Sequence, residues 1–364
     1  MTDAPVLSLR TLNRTLLQRQ YLLDRTTRPA IEVVEHLVAL QGQEANWPYI
    51  GLWVRKAGFR REDLAGLLQD RSVVRSTMLR GTQHLAGGAD YTWLRPTIQP
   101  VLSRLAGMGG RSAETGGLDP AAFDELGREF LSGRSLTRRE FGERLAERHP
   151  GRDGRALAAA AEYLLPLTHL PATGAWGGWN NRKVTLTLAD TWLGRPMAEP
   201  CAETLITRYL AAFGPASVKD VQTWSGLTRL RQVFDLMRPR LRVYRDERGK
   251  ELFDLPDAPL ADPDLPAPVR FLPAFDNVVL GHANRNRIIA DSDRPRVMPG
   301  HSVVHPAVLV DGFVSGVWSV RNHTLRVGLF RPVRAQDRTA VLAEAHDLLT
   351  FIADDPASWD VVLT

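Results

Sequence analysis

The alternation of apolar and polar positions runs through the same order of elements three times. Residues 8 to 23 place Leu9, Leu12, Leu16 and Leu23 at helical spacing, with Ser8 at the N-cap position. Residues 30 to 40 predict a second helix. Ile31, Val34, Leu37, Val38 and Leu40 form its apolar face, Pro29 stands near its start and Gly42 is placed to end it. A short helix follows over 62–70. The period then changes: residues 73 to 88 alternate β-branched and polar side chains around Gly81, which predicts two strands and a turn. Helix, helix, helix, hairpin is the order of a winged helix.

A Gly- and Ser-rich linker from Met108 to Gly117 opens a second cycle. Helices are expected over 123–133, over 135–148 with Ser135 or Thr137 as cap but no full capping box, and over 156–170 with a break at Pro166. A hairpin over 171–188 carries a glycine-rich tip between Trp176 and Trp179. The third cycle begins at Ala202. One helix ends at Gly214, Ser217 caps a short second one, and Ser225-Gly226 turn into a third. A hairpin over 241–255 turns at Gly249. Five prolines and three aspartates make residues 256 to 268 an extended strap. Residues 308 to 333 predict a β-meander with turns at Gly312 and Asn322, and an amphipathic helix runs over 338–353. The fold class expected is α+β, mainly helical. It consists of three tandem winged-helix motifs over 1–107, 118–199 and 200–256, then a β-rich segment over 269–364.

Composition narrows the function. A chain of 364 residues with 44% hydrophobic and 24% charged residues has enough apolar mass for a core. No uncharged apolar run reaches the length of a membrane span, and the N-terminus has no basic stretch followed by an apolar one. A cytoplasmic, nucleoid-associated location is expected. A single cysteine, Cys201, excludes an internal disulfide and a cysteine-rich zinc site. The formal charge is +5, and only Lys56, Lys183, Lys219 and Lys250 among the 46 cations are lysines. Arginine suits phosphate and base edges. A GC-rich genome also favours arginine, so placement has to carry the argument.

Five basic clusters fall at helix starts or hairpin tips. They are Arg134, Arg138 and Arg139; Arg229, Arg231, Arg238 and Arg240; Arg182 and Lys183 beside Trp176, Trp179, Asn180 and Asn181; His282, Asn284, Arg285 and Arg287; and Arg321, Asn322 and His323. Each alone reads as a solvated face. Together, on a winged-helix repeat, they point to nucleic acid. The two tryptophans of the second hairpin are suited to stacking or wedging against bases, or else to anchoring the hairpin on its helices. His301 and His305 have the spacing of a metal pair, but no third ligand is evident. Walker, dinucleotide and GxSxG motifs are absent. No metal and no cofactor are expected.

One stretch is oddly polar. Gln41, Gln43, Glu44 and Asn46 crowd together after an apolar run, and buried amides need partners. This stretch belongs to a wider set of motifs. Leu40-Gln41-Gly42-Gln43, Arg80-Gly81-Thr82-Gln83-His84-Leu85 with Asp90-Tyr91 and Leu94-Arg95-Pro96, Phe271-Leu272-Pro273-Ala274-Phe275-Asp276-Asn277, and Val310-Asp311-Gly312-Phe313 with Gly316-Val317-Trp318 occur in this order. As a set they resemble the bacterial tandem winged-helix DNA glycosylases of the AlkZ type.

The resemblance implies a C-shaped, basic DNA-binding surface and monofunctional excision of bulky N7-alkylguanine adducts, crosslinks included, made by DNA-alkylating antibiotics. It implies a self-resistance role for a monomer acting on double-stranded DNA. The family's Gln-x-Gln pair falls on Gln41 and Gln43, with glycine between them where a larger apolar residue is frequent. Trp47, Arg80, Thr82 and His84 join the five clusters as expected contacts to DNA or lesion. Helical residues two apart point about 200° away from each other, so both glutamines reach one water only if the helix ends between them; Gly42 is expected to permit that break. Glu44 or Asp63 is the alternative carboxylate. A winged-helix regulator without chemistry is the competing reading.

Overall fold

The structure, a computed structural model, describes residues 4–108, 116–177, 183–300 and 302–364. The chain opens with a short strand, β1 (Val6–Leu7), and the helix Leu9–Arg19, whose N-terminus is capped by Ser8 accepting the Thr11 N–H. The next helix, Ala30–His36, stops before the expected end. Val38 takes a left-handed conformation with φ 67°, and the backbone straightens into β2 (Leu40–Gln41). Helices Trp47–Trp53 and Arg61–Gln69 follow, then the hairpin of β3 (Val73–Thr77) and β4 (Gln83–Gly87). Three helices here escaped the sequence reading: Trp47–Trp53, Gly88–Thr97 and Gln99–Ala106. Each carries proline in or near its first turn or within the helix, and Trp47–Trp53 is apolar nearly all round. Its burial is set by packing rather than by an amphipathic stripe.

The second segment contains helices Pro120–Leu131, Arg138–Arg148 and Gly154–Leu164. The middle helix has a full capping box after all, formed by Thr137 and Glu140. Its strands are β5 (Leu136–Thr137), β6 (Leu167–His169) and β7 (Thr185–Leu188). The third helix ends at Leu164, before Pro166, so β6 takes residues expected to be helical. The third segment contains helices Ala202–Phe213, Val218–Ser225 and Arg231–Met237, then β8 (Arg242–Asp246) and β9 (Glu251–Asp254). Ser217 and Asp220 box the start of the second of these helices, and Gly226 ends it at φ 82°. The tail adds β10 (Arg270–Leu272), β11 (Ala307–Val310), β12 (Phe313–Arg321) and β13 (Thr324–Leu329). It closes with the helix Ala335–Ile352 and β14 (Asp360–Leu363).

The hairpins do not stand apart. Among the described residues, the first two fuse into one sheet of order β2-β4-β3-β6-β7-β5, joined where Arg75 of β3 pairs with His169 of β6. The third hairpin receives β1 in parallel against β8. The tail forms its own sheet, antiparallel from β10 to β13 and closed by parallel β14.

Packing follows the same logic. One core runs from Leu16, Val34 and Leu85 through Phe213 and Trp224 to Phe271, Trp318 and Leu348. The helices of the second segment close a separate core around Phe123, Phe141, Leu157 and Leu186. Two buried, bidentate ion pairs tie distant parts. Arg55 meets Asp276 at 2.8 and 2.7 Å, and Arg19 meets Asp254 at 2.7 and 2.8 Å. Such pairs fix geometry strongly, because either charge left alone in the interior is costly. No helix among the described residues is long and apolar enough to cross a membrane.

Candidate active site

Gln41 lies in a strand rather than at a helix end. In the β2–β4 ladder Leu40 faces Leu85 and Gln41 faces His84, and the Gly42 N–H donates to the Gln83 carbonyl at 2.8 Å. The strand ends at Gln41, and Gln43 lies in the bend that follows it. The break expected at Gly42 is therefore unnecessary, since the chain has left the helix at Val38. Gly42 has a different reason to be glycine: a Cβ there would lie 2.4 Å from Leu85 Cδ1.

Gln41 is 8% exposed, and its buried Oε1 has no hydrogen-bond partner among the described residues. The residue lines an open cleft of about 320 Å³ with Arg80, Thr82, Phe275, Arg294 and Met298. Gln43 is exposed, and its Oε1 accepts the Gln83 N–H at 3.3 Å. An amide oxygen without a partner in the protein is costly unless water or a ligand satisfies it. Gln41 thus presents an open acceptor on the cleft wall, suited to a small hydrogen-bonding molecule, and Gln43 stands two residues on in the bend that follows. Asp63, the alternative carboxylate, accepts the Arg60 N–H at 3.0 Å and caps its helix.

Three more expected contacts gather here. Arg80 sits at φ 54° in the β3–β4 turn, and its guanidinium donates to the Trp224 carbonyl of the third segment. Burial, then the nearby charge of Arg285, lowers its pKa to about 10. Thr82 donates to the Leu79 carbonyl at 3.2 Å. His84 is buried beside Gln41; burial, then Arg80, pushes its pKa down to about 3, so it is neutral and bonds through Nδ1 to the Thr82 carbonyl at 3.0 Å.

A second, aromatic cleft of about 570 Å³ brings together Trp47, Trp176, Arg321, Asn322 and His323 with Trp318 and Trp359. Trp47 meets Trp318 edge-on with ring centres 5.8 Å apart, and His323 stacks on Trp359 at 5.2 Å. Trp176 is gripped by Arg61 at 4.5 Å, Tyr49 at 5.4 Å and Phe351 at 5.5 Å. That is the anchoring arrangement rather than a free wedge. The segment from Gln41 to Trp47 and residues 302–306 border both clefts. Trp179, Asn180, Asn181, Arg182 and His301 lie outside the described residues; Lys183 is described and exposed.

Other expected contacts lie elsewhere. His282 is 1% exposed and bonds through Nε2 to the Phe213 carbonyl at 3.1 Å. Burial, then Arg287, lowers its pKa to about 3. Arg287 is buried and donates to the Pro215 carbonyl at 2.9 Å. Arg285 donates to the Val279 carbonyl at 3.0 Å, and Asn284 accepts the Asn286 N–H at 3.0 Å. The knot expected to be a polar surface is largely internal. It holds the tail against the third segment, and His282 and Arg287 do not present themselves to a phosphate. Several cations of the other clusters are matched by carboxylates: Arg139 with Glu143, Arg238 with Glu251 and Arg240 with Glu203. The sequence reading missed Arg75, Gln83, Glu162 and His169, which converge behind the glutamines. A cation in the middle of Val-Val-Arg-Ser-Thr, a strand buried throughout, was the available signal.

A neutral amide with an open acceptor on the cleft wall suits the holding of a small hydrogen-bonding molecule. The chain belongs to the AlkZ-like DNA glycosylase family, whose model, described as "DNA glycosylase AlkZ-like", matches residues 34–351. Enzymes of this class act on DNA. The interstrand DNA cross-link repair glycosylase of Streptomyces sahachiroi is 29% identical over 89% of this chain and 92% of its own length. The solved structure of Streptomyces sahachiroi DNA glycosylase AlkZ superposes with a TM-score of 0.80 at 25% identity, covering 99% of this chain and all of that one.

Proposed function

We propose that this protein hydrolyses the N-glycosidic bond of bulky N7-alkylguanine adducts in double-stranded DNA, crosslinks included, as a monofunctional enzyme of antibiotic self-resistance. The three helix-and-hairpin segments are read as tandem winged helices around a DNA channel. The observation that carries the reading is the unpartnered Oε1 of Gln41 on a cleft wall, two residues from exposed Gln43.

The chemistry fits neutral amides. An N7-alkylguanine is cationic, so it leaves as a neutral base when the C1′–N9 electron pair returns to the ring. No acid is needed to protonate it. Water attacks C1′, a new C1′–O bond forms, and the surplus proton passes to solvent. Glutamine donates to and accepts from that water, contributing position and dipole rather than basicity. A lesion whose base is uncharged before cleavage has to leave as an anion and is expected to be a poor substrate. A lyase step needs an amine nucleophile; the chain has four lysines, and none lines the cleft.

The test is incubation with DNA carrying N7-guanine adducts, reading free modified base by mass spectrometry. Wild type releases the base; the double variant Gln41→Ala/Gln43→Ala, folded by circular dichroism, does not. Undiminished release by the double variant sinks the assignment. The related cross-link repair enzyme makes a crosslinked duplex the first substrate to try.

A further inference from the structure

A guanidinium is buried directly behind the glutamine loop. Arg75, in the centre of β3, is 4% exposed. Its Nε donates to the Gly42 carbonyl at 2.9 Å and its Nη2 to the Gln43 carbonyl at 3.1 Å. Nη2 also donates to the Gln83 side-chain oxygen at 2.5 Å. Nη1 donates to the Thr173 carbonyl at 3.2 Å and to His169 Nδ1 at 3.2 Å. Arginine has five N–H groups, and all five are used. Three of them go to the loop or to Gln83, whose own backbone N–H holds the Gln43 side chain.

No carboxylate touches Arg75 in these contacts. Its counter-charge sits one side chain further back. His169 accepts from Arg75 on Nδ1 and therefore carries its proton on Nε2, which donates to Glu162 at 3.0 Å. Thr77 donates to the same carboxylate at 3.1 Å and Arg138 at 2.6 Å. Glu162, His169 and Arg138 come from the second segment, whereas Arg75 and the glutamines come from the first. The contact point is the single β3–β6 pairing of Arg75 with His169.

A buried cation separated from its anion by a neutral ring is an expensive way to hold two strands together. Apolar side chains would pack the sheet at lower cost. What the guanidinium adds is direction: it fixes two consecutive carbonyls and the neighbour of Gln43 in one plane. Amides that act only by position lose rate quickly when displaced. We propose that Arg75 is the positioning residue for the Gln41–Gln43 pair, and that Glu162 orients it through His169. This rests on the glutamine-held water proposed above.

The test uses the full-length protein and DNA carrying an N7-alkylguanine, in single-turnover reactions with enzyme in excess and with DNA affinity measured separately. Arg75→Lys keeps the charge and loses the fork. Its rate per folded molecule is expected to fall about 100-fold, with DNA affinity within about twofold of wild type. Gln83→Leu removes one link at a half-exposed position and leaves the fold intact, so it serves where the lysine variant does not fold. A loss of about tenfold in the rate is expected, the equivalent of one charge-assisted hydrogen bond. Glu162→Gln is expected to lower the rate in the same sense. A merely structural role would lower the melting temperature and the folded fraction while leaving the rate per folded molecule alone. That outcome, or a loss confined to DNA affinity, overturns the proposal. If wild type releases base and Gln41→Ala/Gln43→Ala does not, while Gln83→Leu and Arg75→Lys match wild type, only the positioning role fails. Wild type inactive on this DNA overturns both readings.

Discussion

Substituting Gly42 by alanine tests whether the loop geometry rests on shape rather than on backbone freedom. The new Cβ would lie 2.4 Å from Leu85 Cδ1, roughly 1 Å inside ordinary van der Waals contact. Leu85 is 1% exposed and belongs to the main core, so its methyl has little room to swing. Overpacking of this kind costs about 1–3 kcal/mol. The strain falls on the ladder that carries Gln41 opposite His84, so the excision rate should drop along with stability. A displacement of the amides by about 1 Å would cost up to about 100-fold in rate. Leu85→Val shortens the offending side chain and should by itself cost about 1 kcal/mol. Urea unfolding of wild type, Gly42→Ala, Leu85→Val and the double variant forms a cycle, with single-turnover rates measured on each. The expected result is a double variant more stable than the sum of the single losses, with activity partly restored. If Gly42→Ala matches wild type in both readouts, or the two changes simply add, the close approach is not what demands glycine.

Two further outcomes follow from the buried charges. Arg55→Leu leaves Asp276 buried without its bidentate partner (the two side chains are 0% and 2% exposed), so unfolding free energy should fall by about 3–5 kcal/mol. Adding Asp276→Leu should recover part of that, measured by denaturant titration. Stability should also depend on pH. His84 and His282 have folded pKa values lowered to about 3, each by burial first, from an ordinary value of about 6.5. In between, the unfolded chain binds the protons and the folded chain does not. The contribution of each is therefore complete above about pH 6.5 and is lost as pH falls toward 3, at about 1.4 kcal/mol per pH unit per histidine. Glu162 is also depressed, to about 2; burial opposes this but is outweighed by His169 and Arg138. Its contribution is complete above the ordinary glutamate range and disappears only below it. A stability curve unchanged between pH 7 and 4, or unaltered in His84→Gln/His282→Gln, would contradict these environments.

Much was legible in the chain itself. Local rules decide local structure, so the helices at 9–19, 61–69 and 202–213, the Ser217 cap with its Gly226 stop, and the first and third hairpins follow from period and capping chemistry, whereas the second hairpin begins in residues 167–169, which carry a helical pattern. The two glutamines and their motif companions named the family, which the match over residues 34–351 bears out. Surfaces were less legible, because a cation in sequence does not disclose its partner. Arg287 and His282 read as a polar knot, but the fold packs them against the Phe213 and Pro215 carbonyls of the third segment.

Tertiary structure alone decided how the glutamines are held. Residues 30 to 40 carry a helical pattern throughout, yet the chain leaves the helix at Val38 because β4 offers Leu40 and Gln41 a ladder and a buried face. Propensity cannot see a strand that is distant in sequence. Nor can it see that β3 and β6 meet at one pair of residues, bringing Glu162 behind Arg75 and Arg75 behind the loop. The sequence by itself singled out the candidate side chains, Gln41 and Gln43; the packing of two hairpins into one sheet decided where those side chains stand, because position in a buried hydrogen-bond network depends on long-range contacts.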